Sequence, residues 1–299
     1  MKTALECLPC YLRQALRVGR ISTDDVDMQL QAMRQVAELT TGMDMGKTPP
    51  ENSVAVYRAI ADITACVDPY LEIKKQSNEQ ALAVLPEFTE IVENSEDPLD
   101  TALRLAIGGN IIDYGTMHSF DVDLAMQRCL QGEYVVDNST ELLQQLRNLK
   151  AGAKVLYLAD NAGEIVYDSL VVAELARMGL EVTVVVKSGA IINDALVADA
   201  LACGMDTHAK ILENGTNCPG TPLDNCSDEL LLAFQDAGLI ISKGQGNFET
   251  LSEVNAEIFF LLTVKCSVVG AHLAEISKTA KDNLQGLGEL VLFHYNGYS

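Results

Sequence analysis

Four short apolar runs in the second half of the chain each end in polar residues whose types suit metal and phosphate chemistry. V-L-Y-L, residues 155–158, passes through Ala159 into Asp160-Asn161. T-V-V-V ends at Lys187, with Asn193-Asp194 soon after. G-L-I-I-S runs into Lys243-Gly244-Gln245-Gly246-Asn247-Phe248-Glu249, and F-F-L-L-T-V into Lys265-Cys266. Asp160, Asn161 and Asp194 are hard oxygen donors of the kind that hold Mg²⁺ or Mn²⁺, with positions left for water and substrate. Lys243 and Lys265 are point charges able to hold phosphate oxygens. Gly244 and Gly246 would let backbone N–H groups approach an anion, and Gln245, Asn247 and Glu249 add polar groups to the same turn. Carboxylates, a cation, lysines and a glycine-rich turn together make up what phosphoryl chemistry needs.

Each group also has a plainer reading. Asn161 with Glu164 three residues on fits a helix cap of the capping-box type, and a lysine that closes a strand often only reaches solvent. Recurrence favours a site: in a parallel sheet all four strand ends lie on one edge, where their side chains converge. The first half contributes G-G-N-I-I-D-Y-G at 108–115. Its Asn110 and Asp113 share a face if helical, and either reach into the crevice from above or lie in a glycine-flanked turn.

The elements that must position these residues fall into two textures. Residues 1–132 read as an all-α N-terminal domain, with apolar positions at helical spacing and Pro49-Pro50, Asp68-Pro69 and Asp97-Pro98 as punctuation. Residues 133–299 alternate strands (155–158, 182–186, 209–212, 239–241, 258–264) with helices (140–149, 165–178, 194–202, 228–237). A last strand is expected at 290–293. That alternation predicts an α/β class, a three-layer α/β/α sandwich on a mostly parallel, Rossmann-like sheet. Segment 213–226, dense in Gly, Pro, Asn and Thr, reads as a loop, either a lid or a solvated excursion.

A net charge of −21 repels phosphodiester backbones and anionic lipid, which excludes nucleic acid and membrane surfaces as partners. Eight cysteines without a secretory signal point to the reducing cytoplasm. Cys7 and Cys10 form the one close pair, and a lone C-x-x-C without a second pair at metal spacing is weak evidence for zinc or redox chemistry. The four histidines show no ligand spacing.

Taken in register, C-x-x-C, G-N-I-I-D, D-N-A-G-E, N-D-A, K-G-Q-G-N-F-E and L-L-x-x-K-C resemble the metal-dependent damage-control phosphatases, long grouped as a domain of unknown function. The C-x-x-C resembles the mainly prokaryotic branch. The likeness runs from Cys7 to Cys266. It implies an all-α N-terminal part, an α/β/α sandwich, and a divalent metal held by Asp160, Asn161 and Asp194. It also implies that Lys265 and the 243–249 turn border the substrate phosphate. The implied activity is hydrolysis of small phosphomonoesters, sugar phosphates or damaged phosphometabolites, with Mn²⁺ or Mg²⁺ and also Co²⁺ or Ni²⁺ as possible ions.

On this reading the expected nucleophile is a metal-oriented water, favoured over direct attack by Asp160 because Ala162 leaves no D-x-D. The expected proton acceptor is Asp160 or Glu164, with Lys265 and Lys243 as charge neutralisers. The alternatives are methyl transfer from S-adenosylmethionine, for which D-N-A-G-E supplies only one glycine, and a non-catalytic nucleotide- or metal-binding module. Sequence leaves the oligomeric state open.

Overall fold

The computed structural model describes residues 1–109 and 130–297. Among the described residues five helices come first: α1 (Cys7–Ser22), α2 (Val26–Thr41), α3 (Pro49–Thr64), α4 (Leu71–Glu93) and α5 (Pro98–Gly108). Their starts follow local chemistry. Asp25 accepts N–H groups of Asp27 and Met28 to open α2, and Thr48 with Glu51 forms a capping box ahead of Pro49 to open α3. The second half runs β1 (Val136–Asp137), α6 (Ser139–Asn148), β2 (Lys154–Leu158), α7 (Glu164–Arg177), β3 (Glu181–Val186), α8 (Val197–Ala202) and β4 (Lys210–Glu213). It continues with α9 (Asp228–Asp236), β5 (Leu239–Lys243), α10 (Gln245–Leu251), β6 (Glu257–Val264), α11 (Ser267–Ser277) and β7 (Glu289–Asn296).

The seven strands of the described residues form one sheet in the order β1-β7-β6-β5-β2-β3-β4. Strands β2 to β6 pair in parallel, β7 returns antiparallel against β6, and β1 lies parallel to β7. The expected mostly parallel α/β sheet is therefore present, and the carboxyl ends of β2, β3, β5 and β6 share one edge. Side chains alternate across it as strand geometry demands. Val155, Tyr157, Val184, Ile241 and Phe259 enter the core on one face, and Leu156, Leu158, Val185, Ile240 and Phe260 enter that on the other.

The helical half does not share a single core. Helices α1–α3 enclose their own small cluster of Tyr11, Val18, Val36, Val56 and Ile60. Helices α4 and α5 instead bury Ala81, Phe88, Leu103 and Ile107 against α7, as part of the sandwich. Among the described residues no helix is long and apolar enough to cross a membrane.

Candidate active site

The site is built from backbone pairing between two strand ends. Past β2, the Asp160 carbonyl accepts the Ala195 N–H at 2.8 Å, and the Ala162 N–H donates to the Asn193 carbonyl at 2.9 Å. Asn161 and Asp194 thus pair as an isolated antiparallel bridge. The 191–194 stretch is a tight turn closed by the Asp194 N–H on the Ile191 carbonyl. For this reason α8 begins at Val197, not at Asp194, and Asp199 caps it through the Leu196 N–H at 2.8 Å.

Helix α4 braces the first corner. Asn78 accepts the Gly163 N–H at 2.7 Å and donates to Asp199 at 2.6 Å, tying both corners together. Gly163 has φ +78, and a Cβ there would lie 2.9 Å from the Ser77 Cβ.

Asp160 and Asp194 are 9% and 3% exposed. The Asn161 side-chain nitrogen donates to Asp160 Oδ2 at 2.7 Å and to Glu164 Oε2 at 3.1 Å. Asp194 Oδ2 is buried without a hydrogen-bond partner among the described residues, and the Lys187 Nζ lies 3.8 Å from it. Burial lifts Asp194 to about 6, against the opposing charges of Lys187 and Lys74. Burial, then the like charges of Glu164 and Asp194, push Asp160 well above the ordinary carboxylate range, offset in part by Lys265 and Lys187.

Two buried carboxylates that resist ionisation, one with an orphaned oxygen, mark a place short of positive charge. Among the described residues no group of three His, Cys, Asp or Glu side chains is arranged to hold an ion. The donor set here is two carboxylates and an amide, so an ion would need the Asn161 oxygen together with water or substrate.

Several expected substrate contacts sit elsewhere. Lys243 does not border an open phosphate site: it is fully buried, and its ammonium donates to Glu164 Oε1 at 2.7 Å, Asp168 Oδ1 at 2.6 Å and the Ala106 carbonyl at 2.8 Å. With all three donors used it is an internal counter-ion. Asn247 is likewise spent inside, donating to the Ala159 and Lys243 carbonyls and accepting from Lys187 and Thr221.

The Gly244 N–H donates to the Leu261 carbonyl, so it is not offered to an anion. Its lack of a side chain is needed because a Cβ would fall 1.9 Å from Asp160 Oδ2. Gly246 gives room to the 219–220 backbone, with its Cβ position 3.0 Å from the Pro219 carbonyl.

Gln245 accepts the Lys265 N–H at 3.0 Å and donates to Glu249 at 2.9 Å. Lys265 itself is exposed, and its charge reaches Asp160. Asn110 and Asp113 lie outside the described residues. The 213–226 segment is not a free lid, since the Gly220 carbonyl accepts Lys187 Nζ at 2.7 Å and Thr221 bonds Thr250 and Asn247.

Glu249 faces Gln245 and the amino terminus, and its backbone carbonyl accepts the Met1 amine at 2.7 Å. Burial raises its pKa from 4.5 to about 7. The folded state holds this proton more tightly than the unfolded one, so stability is lost as pH rises from 4.5 through about 7. Glu249→Gln keeps the Gln245 bond and removes that penalty, up to about 3 kcal/mol. Denaturant midpoints should place the variant above the wild type at about pH 8, with the gap closing toward pH 4.5. A gap independent of pH contradicts this.

Lys187, a strand-end residue with no role assigned from sequence, and two residues outside the expected set complete the site. Lys187 closes β3 and joins Gly220, Asn247 and Asp194. Asp168 takes Lys243 and the Tyr157 hydroxyl, the latter at 2.7 Å. Lys74 on α4 is buried, paired with Asp68 at 2.8 Å, and acts on Asp194 by its charge. The four-residue spacing of Glu164 and Asp168 on one helix face was a usable signal for the second carboxylate. Lys74 and Asn78 carry the same spacing, but nothing in a helical stretch ties it to a distant strand end.

Comparison with known proteins matches residues 3–279 to a family described as the damage-control phosphatase ARMT1-like domain. A damage-control phosphatase of Archaeoglobus fulgidus is 35% identical over 281 residues, covering 91% of this chain and 96% of its own. One from Pyrococcus horikoshii is 34% identical over 283 residues, covering 91% and 94%. A crystal structure of a DUF89 family protein from P. horikoshii superposes with a TM-score of 0.86 at 32% identity, over 98% of this chain and 99% of that one.

Proposed function

The chain belongs to the damage-control phosphatase ARMT1-like family, and from that membership we propose that it is a divalent-metal-dependent hydrolase of small phosphomonoesters, sugar phosphates or damaged phosphometabolites. The observation that carries this reading is the backbone bridge between Asn161 and Asp194, which brings Asp160, Asn161 and Asp194 together from two strand ends. These three residues would hold the ion, with Mn²⁺ and Mg²⁺ suiting their hard oxygens. A bound divalent cation would polarise the phosphoryl oxygens and lower the pKa of an attacking water.

The protein's own groups have separate tasks. Lys265, exposed beside this edge, neutralises charge on the phosphoryl group, and Lys187 balances Asp194. Asp160 is the proton acceptor. Glu164, with one oxygen on Lys243 and the other on Asn161, is a positioning residue. The methyl-transfer and binding-module readings gain no support from relatives named as phosphatases.

The test is phosphate release from a panel of sugar phosphates and nucleotides with Mn²⁺, Mg²⁺, Co²⁺ or Ni²⁺, and with chelator. Release that a chelator abolishes and added ion restores is the expected result. No release from any ester with any ion contradicts the phosphatase reading, and chelator-insensitive release contradicts the metal.

A further inference from the structure

Three described non-glycine residues have positive φ: Ala65, Lys278 and Ile192. Ala65 and Lys278 are left-handed C-caps of helices α3 and α11, an ordinary use of that conformation. Ile192, at φ +44, ends no helix. It occupies the second position of the 191–194 turn, where a positive φ favours glycine and where a β-branched side chain is a true outlier. Such strain persists only where packing holds it.

The packing is unusual. Among the described residues Ile192 is the one side chain beyond α4 that packs, half-buried, against the cluster enclosed by α1–α3. A cavity of about 30 Å³ lies alongside, lined by Val18, Tyr57, Ile60, Tyr70, Ile191 and Ile192. It has room for about one or two waters. The turn is therefore held to the helical unit by a side chain, with slack beside it. Two residues on stands Asp194, with its orphaned oxygen.

We propose that Ile192 is the positioning residue through which docking of the α1–α3 unit sets the Asp194 carboxylate. Glycine would suit the turn's backbone better, whereas isoleucine supplies a side chain that seats in the helical unit. The site is thereby assembled from both halves of the chain: unseating α1–α3 loosens the turn that carries Asp194. Its consequence for ion affinity rests on the metal reading above, but the coupling itself does not.

The experiment is hydrogen exchange on the full, metal-free chain for wild type, Ile192→Val and Ile192→Gly, followed by Mn²⁺ titration of each. Ile192→Gly relieves the backbone and removes the anchor. It should speed exchange at the Asp194, Ala195 and Ala162 amides about tenfold while β2 and α7 amides keep their protection. It should also weaken Mn²⁺ binding roughly tenfold. Ile192→Val should keep both near wild type. Unchanged exchange at those three amides in Ile192→Gly, or a rise shared equally by β2 and α7, overturns the coupling. Faster local exchange in a protein whose wild type takes up no Mn²⁺ supports the coupling and overturns the metal reading.

Discussion

Replacing Lys243 by Met will cost the folded protein about 3–5 kcal/mol, the range for removing one partner of a buried ion pair. The ammonium is the cation that Glu164 and Asp168 share, and its side chain is 0% exposed with each donor engaged. Met fills the volume but leaves two buried carboxylates facing each other. Asp168 already has one oxygen without a hydrogen-bond partner among the described residues, and burial holds its pKa near 6 even with Lys243 present.

The loss is a large share of the 5–15 kcal/mol that holds a typical domain together. Adding Asp168→Asn to Lys243→Met should recover part of it, since one stranded charge is then removed. Denaturant melts of the two variants check this. A single variant within about 1 kcal/mol of wild type contradicts the assignment of Lys243 as internal counter-ion.

Lys243 also shows where the sequence was legible and where it was not. Apolar runs that end in Asp160, Lys187, Lys243 and Lys265 disclosed the strands and the edge they share, because period-two burial and polar strand ends are local properties. The convergence of Asp160, Asn161 and Asp194 followed from that topology. What a strand end does not disclose is whether its side chain turns outward or in. Lys243 turns in because Glu164 and Asp168, one helical turn apart on α7, wait beneath it, and that is a tertiary fact. A glycine at 244 suggests an N–H left for an anion, whereas the space it leaves is filled by the Asp160 carboxylate. Lys74 and Asn78 act on the site from a helical segment with no local mark of chemistry.

The larger functional effect belongs to Asp194. It is one of only two carboxylates in the proposed ligand set, and its buried Oδ2 has no hydrogen-bond partner among the described residues. Asp194→Asn keeps the shape and the backbone bridge to Asn161, so the fold should persist. Removing the carboxylate relieves its burial cost, while Lys187 loses a charge partner but keeps its bonds to Gly220 and Asn247, so metal-free stability should stay near wild type. Ion binding is a different matter. Halving the charge offered to a divalent cation should weaken Mn²⁺ binding at least about 100-fold, beyond the usual cost of losing an outer partner. Metal-dependent phosphate release should fall on the order of a thousandfold, about 4 kcal/mol of transition-state stabilisation.

Calorimetric titration of Mn²⁺ into metal-free wild type and Asp194→Asn is the most direct test that Asp160, Asn161 and Asp194 form an ion-binding centre. The wild type should bind Mn²⁺ with a stoichiometry near one per chain, and the folded variant should show that binding lost or weakened at least about 100-fold. Equal affinity in the two proteins, or no binding to wild type, would contradict it.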